Sequence, residues 1–434
     1  MFQKIFDGLL RFLIVFLPWS TLISVFLTYK IGIPKANFLK EIILVILFVS
    51  CCFLIIHKWK KTKKFPLRLG WIDGLIGVYI TWMIAITLPT TGISGLIYGI
   101  KYDLLFLIIF LCFYHGQQFL MRPISHYLKL FLISGGLMLF FSGLIKWPLS
   151  EDILLFFGYS GNPSAWEFGS APPIFHGVDG ANVQRFQGIL DGPNSMGAFI
   201  IFFFGALLFY TRRLKDWYFV IGLISIVLIL MVMYTYSRSA WIGFAGAALV
   251  MLLSRMGKIY KKHKKQFFAL SLITAIFCGF MYRYYTLDKT AILSRKDSNK
   301  GHYERLVNGI GRVKSNPVGQ GMGSAGPAYR HVQDLRGLSH KQLEVKDFFY
   351  IPESWFVQVF IEGGVFGGVL FFAIIVFLGL ALLFFHPFLG ASFGGIAAMN
   401  LVLHTYESSV VSYTLFIFVG LILGYAKYKC KKSQ

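Results

Sequence analysis

The sequence is short of charge. Only 14% of its 434 residues are Asp, Glu, Lys or Arg, against about a quarter in soluble domains. That scarcity, with 56% apolar residues, excludes a soluble enzyme and a disordered chain. Cysteine is sparse too. Four of the five lie in apolar runs (Cys51, Cys52, Cys112, Cys278) and Cys430 in a basic tail, so a disulfide-stapled secreted module is excluded and each reads as a small apolar residue. No cluster of His, Cys or acids has metal-ligand spacing. Acids are outnumbered by bases, 19 against 42, which leaves a net charge of +23. What the chain has in quantity is long hydrophobic runs, with aromatics at 18%. No cleavable leader is expected, because the first run leads straight into further spans.

A helix crossing lipid needs about 20 mostly apolar residues, since only a helix or closed barrel satisfies its own backbone there. Twelve such runs are expected, near 9–29, 39–56, 71–88, 94–113, 127–146, 194–211, 217–234, 238–254, 266–284, 361–385, 389–405 and 411–428. The fold class is therefore all-α, a polytopic membrane helical bundle with a large, partly helical outer loop. Lys and Arg then fix the orientation. They crowd HKWKKTKKFPLR at 57–68 and RMGKIYKKHKK at 255–265, while the short loops on the other side, with 147–193, hold only Lys30, Lys35 and Arg185. The positive-inside rule puts both termini in the cytoplasm. The excess charge thus meets anionic lipid heads rather than nucleic acid.

Two outward segments are too long to be mere connectors, 147–193 and 285–353. In the second, Leu306, Ile310 and Val313 repeat at helical spacing before Asn316-Pro317, which predicts an ordered helix ending there. Around these segments the topology gathers polar residues from distant parts of the chain on one membrane face. They are Arg185, Arg238, His302, Arg305 and Glu353. Converging arginines suit a phosphate-rich ligand, because the guanidinium fork binds its oxygens in pairs and keeps its charge. A carboxylate beside them suits proton abstraction from a hydroxyl. Tyr303 and Trp355 are candidate stacking surfaces for sugars. The glycine-dense GQGMGSAG suits close approach of backbone to a ligand, but lacks the Lys-Ser/Thr of a nucleotide loop. Each has a plainer reading: Arg238 as an interfacial anchor, His302 as a solvated surface histidine, Glu353 as a helix-starting acid. Lys101 and Asp103, two apart in the fourth run, face different ways and suit partners on other helices.

The patterns RFQGILDGPNSMGAF, YSRSAWIGF, NGIGRVKSNPVGQGMGSAG and ESWFVQVFIEGGVFGG, in that order from about 185 to 370, together resemble the O-antigen ligase and Wzy-type polysaccharide polymerase family. The resemblance implies a GT-C-like glycosyltransferase, independent of metal or other cofactors, on the outer face of the bacterial cytoplasmic membrane. Its substrates are undecaprenyl-pyrophosphate-linked glycans, and a flippase and a chain-length regulator are its expected partners. It implies that Arg238, opening a span, holds the donor pyrophosphate; Arg185, on the same outer face, is expected to help clamp it. A second family arginine precedes the Asn-Pro-Gly motif by about fifteen residues; strict spacing lands on His302, and Arg305 follows three residues later, so both stay open. Ligases carry a histidine, acting as base and followed by an asparagine, before the next helix's Leu-Gln. Here Glu353-Ser354 stands there, which looks more like the polymerases. A polymerase is thus expected, with a ligase that acts on lipid A core or protein as the alternative. A twelve-span transporter is a more distant one, since no internal repeat is visible.

Overall fold

The computed structural model describes residues 2–162, 170–174, 177–178, 181–211, 218–262, 296–335 and 350–429. Helices dominate them, and the one small sheet pairs Gly177–Val178 with Ala181–Gln184. Among the described residues, eight helices are long and apolar enough to cross a membrane: Phe2–Lys30, Ala36–Thr62, Trp71–Thr90, Gly92–Phe119, Ile124–Lys146, Pro193–Thr211, Trp355–Phe385 and Ser409–Tyr428. Three shorter apolar helices, Phe219–Tyr234, Arg238–Met251 and Pro387–Met399, match further expected runs. The expected span 266–284, with part of the large loop, lies outside the described residues. The protein is a multi-pass membrane protein.

The last helix is the axis of the bundle, with 83% of its apolar window buried. Helices in lipid gain little from hydrophobic burial against one another, so close packing at small residues matters more. Gly420 and Gly424, one turn apart, supply it: a Cβ on either meets the backbone carbonyl of Phe110 at 2.6 Å or of Tyr114 at 2.3 Å. The helix Gly92–Phe119 is thereby seated on the axis. Its middle, Ile100–Leu104, is a π-helical turn. There Asp103 accepts from Gln358 Nε2 at 3.0 Å, while Lys101 lies over the Phe38 ring at 4.1 Å. The two charges do find separate partners on other elements.

Among the boundaries that differ from the sequence reading, two shape the site. The tenth run begins at Trp355, not 361, and is broken at Gly364, where φ is 66° and ψ −171°. The eleventh stops at Met399, not 405. Asn400 ends it: its Nδ2 donates to the Ile396 carbonyl and to Thr405 Oγ1, and its Oδ1 accepts from Tyr406 N. At thirteen residues, this helix covers only about 20 Å at 1.5 Å per residue, less than a bilayer core. The chain then turns back through a 3-10 turn at Thr405–Glu407 before the axial helix starts at Ser409.

Candidate active site

The expected loop helix is present as Lys296–Ser315 and stops before Asn316-Pro317. His302, Arg305, Gly309 and Arg312 follow the i, i+3, i+7, i+10 spacing of one helical face. Gly309 is the contact point. A Cβ there meets Val357 Cγ1 at 2.8 Å and Pro352 Cβ at 2.9 Å, so only glycine lets this face lie on the start of the broken helix Trp355–Phe385. Arg312, at the far end of the stripe, donates to the Ser324 carbonyl at 3.0 Å and to Gln320.

Beyond the loop helix, the glycine-rich run is spent on architecture. Gln320 N donates to the Ile361 carbonyl, Gly321 N to the Glu362 carbonyl, and Val365 N to the Pro317 carbonyl, all within 2.8–2.9 Å. These are the backbone groups that the break at Gly364 frees, and in lipid they need partners. Gly323 N and Ala325 N also donate to Glu362 Oε1, at 2.8 and 3.4 Å. The close approach expected of GQGMGSAG is real, but what approaches is the broken helix and its buried carboxylate.

The crossing holds residue 353 against the loop helix. Glu353 has φ 55°, a left-handed backbone uncommon outside glycine and costly for a residue with a side chain. It turns the chain so that Glu353 faces the loop helix while Trp355 points inward. Glu353 Oε2 pairs with His302 Nδ1 at 3.0 Å, and Oε1 with Arg305 Nη1 at 2.5 Å; its side chain is 22% exposed. Both candidates for the loop position therefore meet the same carboxylate. Burial pushes this acid up, but His302 and Arg305 outweigh it and hold it below the ordinary carboxylate range. Trp355, expected as a stacking surface, is 0% exposed. It packs on Phe106 and Tyr406 and has no face free for a sugar. Tyr303 is 68% exposed.

A second corner gathers Arg185 and Arg238. The turn between the two helices that precede and follow it runs from Tyr234 to Arg238, and Phe186 N donates to the Tyr234 carbonyl at 2.8 Å. Arg185 then uses two prongs of its fork, Nε to the Thr235 carbonyl at 2.9 Å and Nη2 to Asn194 Oδ1 at 3.0 Å. Ser237 donates to the same Asn194 oxygen at 2.7 Å. Asn194 thus ties the segment carrying Arg185 to the turn that opens with Arg238, the first residue of its helix.

Sequence reasoning missed the turn after Met399. Trp355 N donates to the carbonyls of Asn400 and Leu403, both at 3.0 Å, which sets this turn beside Glu353. His404 becomes an electrostatic neighbour of Glu353, and Glu353 one of Glu407. Burial, with Arg305 and His302 adding and Glu353 opposing, brings His404 down to about 4. Burial, then Asp103, pushes Glu407 well above the ordinary range, with Arg330 opposing. The only sequence signal was a His and an acid in a short polar gap between two apolar runs.

With this geometry in view, the sequence profile described as O-antigen ligase matches residues 223–372. The matched stretch contains Arg238, His302, Tyr303, Arg305, Glu353 and Trp355, and leaves Arg185, His404 and Glu407 outside it. A search of curated proteins finds no match. The profile supports the O-antigen ligase and Wzy-type family for this chain and, with the membrane helices, a membrane glycosyltransferase of that type.

Proposed function

We propose that the protein is a polysaccharide polymerase, which moves a glycan from an undecaprenyl-pyrophosphate carrier to the non-reducing-end hydroxyl of a lipid-linked repeat unit. The observation that carries this reading is Glu353 held between His302 and Arg305, a carboxylate where the ligases have a histidine. Arg238, Arg185 and Arg305 bind the donor pyrophosphate. Glu353 takes the proton of the acceptor hydroxyl, whose oxygen attacks the anomeric carbon. The bond from that carbon to the pyrophosphate oxygen breaks, and the electron pair leaves on the pyrophosphate, where the arginines stabilise it. One displacement inverts the anomeric centre, and the activated leaving group calls for no nucleotide or metal.

Glu353 is a weak base while clamped. The donor supplies the release: its pyrophosphate competes for Arg305, and a guanidinium prefers two phosphate oxygens to one carboxylate oxygen. Loss of that contact lets burial raise the Glu353 carboxyl, so the base gains strength only when the donor is present. His302 keeps the carboxylate oriented, and Tyr303 offers a ring to the glycan. The reaction belongs on the outer side of the cytoplasmic membrane with both termini inside, as the basic runs at 57–68 and 255–265 argue. A flippase and a chain-length regulator are the partners such a pathway needs.

The test is a polymer-ladder assay on membranes matched for protein abundance. Glu353→Gln and Arg238→Ala are both expected to abolish the ladder; full-length polymer from both would sink the mechanism. The profile's own description favours a ligase as second reading. Purified lipid-linked repeat without any other acceptor separates the two, because a polymerase extends it and a ligase does not.

A further inference from the structure

The turn from Asn400 to Ser408 carries polar atoms that the proposed chemistry leaves unused. His404 Nε2 and Glu407 Oε1 are both buried and meet no hydrogen-bonding partner among the described residues. A buried orphan polar atom costs free energy, so a native structure needs a reason for each. With Tyr406 Oη, three such atoms lie on one four-residue stretch and call for a common reason. The turn is not loose: Asn400 braces it from inside through Ile396, Thr405 and Tyr406, and Trp355 N clamps its backbone from outside. The His404 ring also packs edge-on to Trp355 at 6.3 Å. A rigid turn that presents unpartnered polar atoms beside a candidate base is preorganised for a ligand.

The surrounding charge selects the ligand. Glu407 lies in the field of Asp103, Glu353 and Asp191, with Arg330 as the opposing charge. A pyrophosphate is repelled by the acids around Glu407 and is drawn instead to the arginines of the proposed donor site. Sugar hydroxyls are neutral, and each both donates and accepts. They therefore suit a carboxyl oxygen and an imidazole nitrogen in either protonation state or tautomer. We infer that His404 and Glu407 form the subsite for the acceptor sugar, hydrogen-bonding ring hydroxyls beside the one that reacts and so aiming it at Glu353. This rests on the glycosyltransferase reading and adds where the acceptor binds, apart from the donor.

The experiment measures transfer in proteoliposomes with labelled lipid-linked glycan from the cells that make this protein as donor. The glycan released from that lipid by mild acid serves as soluble acceptor. Glu407→Ala and His404→Ala are each expected to raise the acceptor KM at least about tenfold, the size of a lost buried hydrogen bond to a charged or polar group, with the donor KM within about twofold of wild type. An unchanged acceptor KM overturns the proposal, and so does an equal loss in both substrates, which a merely structural turn produces. Should an alanine variant miss wild-type abundance, Glu407→Gln and His404→Gln carry the same comparison, with smaller shifts expected on the acceptor side alone. The wild type guards the underlying reading. If it transfers to no glycan at all, the glycosyltransferase assignment fails; if it transfers while the variants keep wild-type acceptor dependence, only the subsite fails.

Discussion

Two regions of the matched stretch use polar groups in opposite ways. Between residues 316 and 326 the loop turns its backbone onto the broken helix: two amides donate to the freed carbonyls of Ile361 and Glu362, the Pro317 carbonyl accepts from Val365 N, and two more amides donate to the Glu362 carboxylate. Around Glu353, by contrast, side chains from the loop helix and a backbone-strained turn meet at a partly open place, and the neighbouring turn leaves three polar atoms unmatched among the described residues. The glycine-dense motif, which resembles a ligand loop, is the rigid part. The sparse His, Arg and Glu are the part with chemistry to spare. Damage to the first should cost folding, and damage to the second should cost turnover.

Gly364→Ala should give the largest effect. A Cβ there lies 2.2 Å from Val318 backbone atoms, and φ near +66° with extended ψ is glycine-only ground. We expect a loss of more than about 3 kcal/mol, read as collapse of membrane yield and of the unfolding temperature in detergent. A stable, active alanine variant would refute the view that the crossing is architectural. Gly309→Val tests the seam between the two regions. Its side chain must push the loop helix off Pro352 and Val357, and a displacement of about 1 Å at a reacting group costs about a hundredfold in rate. Transfer should fall by about that factor while the protein still reaches the membrane. Retained transfer would mean that the seam does not set the Arg305–Glu353 contact.

Acid should act on the second region. Since its partners hold Glu353 below the ordinary carboxylate value of 4.5, the clamp contributes stability in full above that value and loses it as pH falls through the lower folded value. Wild type should therefore lose unfolding temperature below about pH 4.5, and Glu353→Gln should remove that part of the slope. An identical slope in the variant would show that other carboxyls govern acid stability.

The difference between the regions was only partly legible in the sequence. Hydrophobic runs marked the helices, and Leu306 and Val313 before Asn316-Pro317 marked the loop helix, because those signals are local. Partners separated by hundreds of residues were not: Asp103 with Gln358 is set by how two helices pack. Glu353 was visible as an acid at a helix mouth, yet the sign of its shift depended on which loop-helix side chains reach it. Trp355 beside it suggested a sugar platform, but the left-handed turn at Glu353 sends the ring into the core. His404 and Glu407 were hidden by a boundary. An apolar run through 405 conceals that Asn400 stops the helix at Met399, and only that stop brings the turn back to the site.

The smallest expected effect belongs to Tyr303, one position along the loop helix from His302 but on its outer face. With 68% exposure its ring supports no packing, so Tyr303→Ala should leave the unfolding temperature unchanged. Stacking of an aromatic ring on an apolar face contributes about 0.5–1.5 kcal/mol, which sets the expected loss at roughly twofold to tenfold in glycan affinity. Comparison with Tyr303→Phe decides the cause. If the ring stacks, Phe restores the wild-type KM; if the hydroxyl bonds a sugar, Phe behaves as Ala; and if neither variant moves KM, the glycan does not pass over this face of the helix and the groove lies between Glu353 and the 404–407 turn instead.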